Sequence, residues 1–242
     1  AAAVMMGYGP IAHGNDIGGS LRFPAYACGA ATVKPGLGRV PAYNPSGAVE
    51  RGMLAQVMSV QGVICREVRD VRLAMRSLVG YDPRDPWQVP MPFEGPPEPR
   101  PIKVAFTRNT FDFPLHPAVA RALDTARSVL AAAGYDVREV EPPLLEEAAV
   151  TGARCLFGEA KALMDADVRK YGSKTVVAIF DEYYRYFQPF EGLEFLKAMA
   201  DRNRFIRAWT TFMADYPLVL TPFLPAPIFT WNRDEQGAEG VR

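Results

Sequence analysis

The chain has 242 residues, of which 49% are hydrophobic and 22% charged, close to the globular averages of roughly 45–50% and about 25%. Disorder is thereby excluded, and there is ample material for a core. Lys+Arg and Asp+Glu stand at 27 each, and this zero net charge argues against a nucleic-acid or anionic-membrane partner, whose binding rests on excess cation.

The N-terminal stretch AAAVMMGYGPIAHG is apolar but lacks the basic start of a signal peptide. Charges stay scarce up to Lys34, and glycines and small residues are frequent, as in backbone packed tightly around a site. Over 67–79 the apolar positions Val68, Val71, Met75, Leu78 and Val79 recur at helical spacing, with Gly80 as the stop. Eight prolines between Pro83 and Pro101 then exclude helix and central strand, so an extended surface connection is expected. A βαβ unit follows. Its first strand is 102–106, and its helix spans 117–133 with Val119, Leu123, Ala126, Val129 and Leu130 on one face. Gly134 ends that helix, and the returning strand is 136–140. Residues 145–214 read as helix broken near Tyr171–Gly172 and near Gln188–Pro189, and 217–221 as a buried strand. The uncharged stretch 216–232 carries Pro217, Pro222, Pro225 and Pro227, so it cannot cross a membrane as a regular helix.

Cys28, Cys65 and Cys155 are far apart and without CxxC spacing, which points away from a disulfide framework or zinc site and toward a reducing compartment, the cytoplasm. His13 and His116 form no HExxH pattern, and no metal or cofactor is expected.

Residues 16–22, Asp-Ile-Gly-Gly-Ser-Leu-Arg, carry the chemistry. Two glycines before Ser20 let the backbone turn sharply and aim several N–H groups at one point. A hydroxyl beside such donors suits acyl transfer, in which it attacks a carbonyl and the amides stabilise the oxyanion. Asp16 and Arg22 flank the turn and are expected to pair across its base. The plainer alternative is a glycine-rich turn with an incidental serine. Gly7-x-Gly9-x-x-Ala12 lacks the strand a dinucleotide fingerprint needs, and Arg22 stands where a nucleophile elbow needs glycine. His13 reads as a structural histidine, and Tyr183, Tyr184, Tyr186 and Phe187 as either a channel lining or helix packing.

The run GNDIGGSLRFPAYACG, followed by KPGLGRVP, resembles the amidase signature family, whose members carry D-x-G-G-S-[IL]-R-x-P-A-x-x-C-G and K-P-[ST]-x-G-R-x-P. The likeness continues at SVQGVICREVRD, GYDPRDP and LTPFLPAP, so it covers nearly the whole chain. It implies a single α/β domain over 1–242 with a central mixed sheet flanked by helices, incomplete at the N-terminus and at the C-terminus. It also implies a Ser–cis-Ser–Lys amidohydrolase that cleaves the C–N bond of small or hydrophobic amides, with esters and carbamates as further substrates. Ser20 matches the nucleophile, Ile17, Gly18, Gly19 and Ser20 the backbone donors of the oxyanion hole, and Asp16 and Arg22 a supporting pair. Lys34 matches a structural lysine and Cys28 a buried position. The bridging serine and the catalytic lysine match nothing here; the resemblance puts them before Ala1, making the remainder of the same amidase the expected partner, beside a homodimer. Two alternatives stay open: the glutaminase-type subunit of a tRNA-dependent amidotransferase, and a non-catalytic chain that completes a partner's site.

Overall fold

A computed structural model describes residues 1–241. Contacts divide the chain into two compact units, Ala1–Gly95 and Pro96 onward. Each contains one three-stranded sheet, so the strands form an antiparallel sheet and a parallel sheet rather than one continuous mixed sheet among the described residues. The α/β class expected from the sequence is present in both.

The first unit opens with α1 (Ala2–Met5), β1 (Ile11–Asp16), α2 (Arg22–Cys28) and β2 (Ala31–Thr32). It continues with α3 (Met53–Met58), β3 (Val60–Cys65) and α4 (Val68–Leu78). The apolar run in β3 makes it the central strand, with β1 and β2 antiparallel on either side. Side chains alternate along a strand, so β3 feeds two cores. Val63 and Cys65 pack with Val71, Ala74 and Met75 of α4, whereas Ile64 packs with Leu21 and Ala25 at the start of α2. The turn that carries Ser20 is thus built on the sheet face opposite α4.

α2 ends at Gly29, whose φ of 68° is left-handed, and Ala30 N–H closes the end onto Ala25 O at 2.8 Å. The proline-rich segment is extended and is tied to the loop after Lys34: Val89 N–H donates to Gly38 O at 2.9 Å and Arg39 Nη2 to Phe93 O at 2.7 Å.

In the second unit, β4 (Lys103–Phe106) is flanked by β5 (Asp136–Glu139) and β6 (Leu218–Leu220), all parallel. The connecting helix α5 (Pro117–Ala132) starts as the sequence reads, with His116 Nδ1 accepting the Ala118 N–H at 3.1 Å and Pro117 in the first turn. Its inner face differs at one position. Leu123 is buried, and Val119, Ala126 and Leu130 share that side, but Val129 is 61% exposed. At 100° per residue Val129 falls about 90° away from the centre of the stripe formed by the other four.

Three helices follow: α6 (Leu145–Tyr171), α7 (Lys174–Phe187) and α8 (Gly192–Asp215). The breaks fall where the sequence puts them. Ser173 Oγ accepts the Val176 N–H at 3.2 Å and starts α7, and Gln188 at φ 49° ends it. The aromatic run on α7 is helix packing: Phe187 stacks on Phe157 of α6 at 4.5 Å between centroids, and Tyr183 lies 5.0 Å from the same ring. A short helix, α9 (Gly237–Val241), closes the described chain. Among the described residues no helix is long and apolar enough to cross a membrane.

Candidate active site

β1 delivers Asp16 at its last position, fully buried, and the chain then folds around that carboxylate. Oδ1 accepts from Gly19 N–H at 2.9 Å and Arg22 Nη2 at 2.9 Å. Oδ2 accepts from Leu21 N–H at 3.1 Å, Arg22 N–H at 3.2 Å and Arg22 Nε at 3.0 Å. The expected pairing across the base of the turn is therefore a two-pronged Arg22–carboxylate contact, which fixes direction as well as charge. Burial by itself would raise the Asp16 carboxyl, but the Arg22 guanidinium and the amides of Leu21 and Arg22 outweigh it and hold the group well below the usual carboxylate range.

Lys34 completes the base of the turn. Its Nζ donates to Asp16 O at 2.5 Å and to Met58 O at 2.8 Å, and lies 3.5 Å from Asp16 Oδ1. Burial pushes its pKa below the ordinary lysine value, against the pull of Asp16. All its short contacts are to the main chain of two segments, which is a strut's geometry.

Around the carboxylate the turn alternates inward and outward. Gly19 and Leu21 are buried, while Gly18 and Ser20 are exposed and Ile17 is half-buried. Gly19 has φ 128°, a backbone conformation that favours glycine, and this lets its N–H turn down onto Asp16 while the next residue turns out. Of the four amides singled out from the sequence, Gly19 N–H is thus already engaged inside the turn. Those of Ile17, Gly18 and Ser20 donate to no protein acceptor among the described residues.

His13 is an exposed residue of β1 opposite Val63, and His116 is the cap of α5. Cys28, expected to be buried, is half-buried, because it sits in the last turn of the short α2 beside the exposed Gly29; Cys65 and Cys155 are the buried thiols. Among the described residues no three His, Cys, Asp or Glu side chains are grouped to hold a metal ion. Leu21 and the strand glycines Gly14 and Gly62 carry no chemical signal of their own in the sequence, although glycine inside a strand signals a close approach.

The amidase family model matches residues 1–240. The chain belongs to that family. An indoleacetamide hydrolase of Bradyrhizobium diazoefficiens is 42% identical over 241 residues, matching 100% of this chain and 46% of that protein. A glutamyl-tRNA(Gln) amidotransferase chain of Thermus thermophilus is 29% identical over 268 residues, covering 96% of this chain and 53% of that protein. Among solved structures, 6-aminohexanoate cyclic dimer hydrolase in complex with its substrate superposes with a TM-score of 0.69 at 24% identity, over 89% of this chain and 47% of that one, and shares the fold. The chain spans about half the length of the curated relatives it matches. It shares the mixed α/β architecture of these family members.

Proposed function

We propose that Ser20 is the nucleophile of a serine amidohydrolase whose substrates are small, hydrophobic primary amides of the arylacetamide type. The observation that carries this reading is the turn itself: Ser20 is exposed on a loop whose inner side is fully committed to the buried Asp16. The 42% identity to an indoleacetamide hydrolase supports the substrate class. Ile17 and Phe23 favour a free-standing amidase, since the amidotransferase branch usually has Thr and Gln there.

In this mechanism a neutral lysine outside residues 1–242 accepts the Ser20 proton through a bridging serine. Ser20 Oγ forms a bond to the carbonyl carbon, and the amides of Ile17, Gly18 and Ser20 receive the developing oxyanion. Collapse breaks the C–N bond, and the bridging serine returns a proton to the departing amine. Water then cleaves the ester on Ser20 and releases the carboxylic acid. Asp16 and Arg22 touch no reacting atom here; they hold the turn. The remainder of the amidase supplies the lysine and bridging serine, so residues 1–242 alone are inactive.

The test is intact mass after treatment with an alkyl fluorophosphonate, together with amide turnover by wild type and Ser20→Ala in the full-length product. One adduct on Ser20, absent from Ser20→Ala, and a rate loss of about 10³-fold or more are expected. No adduct on folded, full-length protein would favour the non-catalytic reading. Turnover by residues 1–242 alone would overturn the assignment of the base to sequence outside them.

A further inference from the structure

β1 and β3 place a glycine opposite a glycine, Gly14 against Gly62. Neither has a positive φ, so backbone conformation does not demand glycine at these positions. Space does. A methyl carbon added at Gly14 would lie 3.1 Å from Leu21 Cδ2, and one added at Gly62 would lie 2.6 Å from Leu21 Cδ1. The Leu21 side chain therefore rests on a patch of bare backbone shared by the two strands, and it is only 1% exposed.

Leu21 is also the residue after Ser20. Its N–H is held by Asp16 Oδ2 and its carbonyl accepts from Ala25 N–H at 3.2 Å in the first turn of α2. Ser20 makes no hydrogen bond of its own among the described residues, so its position is inherited from its neighbours. Gly19 is tied to Asp16 on one side, and Leu21 is tied to Asp16 and to the glycine pair on the other. A displacement of Leu21 by a few tenths of an ångström passes through a single rigid peptide to the Ser20 Cα.

We propose that Leu21, seated on the Gly14–Gly62 pair, is the positioning residue that sets the direction of the Ser20 hydroxyl. This rests on Ser20 being the nucleophile. Attack geometry tolerates little displacement, so the contact acts on the acylation step and leaves ground-state binding largely alone.

Gly14→Ala isolates the effect, because its added methyl meets Leu21 and nothing else within 4 Å. Gly62→Ala is less clean, since its methyl also meets the Val33 carbonyl at 2.6 Å. In the full-length product, with an arylacetamide as probe, Gly14→Ala is expected to lower kcat about tenfold and leave KM within about twofold. Fluorophosphonate labelling of Ser20 should slow by the same factor. Leu21→Val relieves the crowding in the Gly14→Ala background, so the two losses should not multiply. Unchanged kcat in Gly14→Ala, or losses that multiply in the double variant, would overturn the proposal. If Gly14→Ala yields no soluble protein, Leu21→Val alone decides: it should lower kcat and labelling together, and unchanged rates would count against the role. Ser20→Ala, measured alongside, separates the two ideas. Activity surviving in it overturns the nucleophile, whereas an inactive Ser20→Ala beside a full-rate Gly14→Ala overturns the positioning role alone.

Discussion

The turn at 16–22 and the helices α6 to α8 are both rich in charge pairs, and they use them in opposite ways. In the turn, one buried carboxylate gathers three main-chain amides and a two-pronged guanidinium. Among the helices, Arg169 pairs with Asp165 at 2.7 Å and Asp181 at 2.8 Å, and Arg204 with Asp201 at 2.9 Å and with Glu147, all substantially solvent-exposed except Asp165. Helix packing there is carried by apolar contact, such as Phe157 against Tyr183 and Phe187. Exposed pairs are screened by water and contribute little, whereas a buried carboxylate cannot lose a partner without leaving a desolvated charge uncompensated. Precision is concentrated where desolvation enforces it.

That contrast can be broken most directly at Asp16. Asp16→Asn places an amide among donors that all require an acceptor, and a loss of about 3 kcal/mol in urea unfolding is expected, with a marked fall in kcat/KM. Because the Asp16 carboxyl is held below its ordinary value, its stabilisation is complete above about pH 4 and fades as pH falls toward the depressed folded value. A pH titration of stability should therefore be flatter on the acid side in Asp16→Asn; matching acid limbs would contradict the assignment.

Gly158→Ala probes the helical region at its tightest point, where an added methyl collides with the Phe190 carbonyl. Main chain cannot swing aside as a flexible side chain does, so a loss of about 2 kcal/mol is expected without a change in KM. Arg22→Lys keeps the charge and loses the fork. Stability should drop by about 1.5 kcal/mol, one charge-assisted hydrogen bond, and kcat/KM should fall with it. Smallest of all, Arg169→Ala should leave the thermal midpoint within error of wild type. A clear drop would show that the exposed pairs of α6 and α7 carry stability after all.

Much of the architecture was legible in the residues. The helix of α4, the proline-rich connection, the βαβ unit and both helix breaks follow from spacing, glycine and proline, each a signal confined to neighbours along the chain. The family likeness placed the serine turn and the Asp16–Arg22 pair. Less was legible where a choice depends on distant segments. Val129 is apolar and borders the stripe, yet the sheet covers only the narrower band through Leu123. The aromatic run on α7 had two readings, and Phe157, on a different helix, selected packing.

By itself, then, the chain determined where the backbone must turn, which serine the turn presents and which charged pair can brace it, because those properties are set by local sterics and residue chemistry. Only the tertiary structure decided which way each amide points and what the strand glycines are for. Gly19 N–H turns inward because Asp16 is buried beneath it, and the space above Gly14 is filled by Leu21 and that above Gly62 by Leu21 and the Val33 carbonyl. A donor's partner and the space above a glycine depend on chain segments remote in sequence. They come into being only when β1, β3 and the start of α2 are packed together.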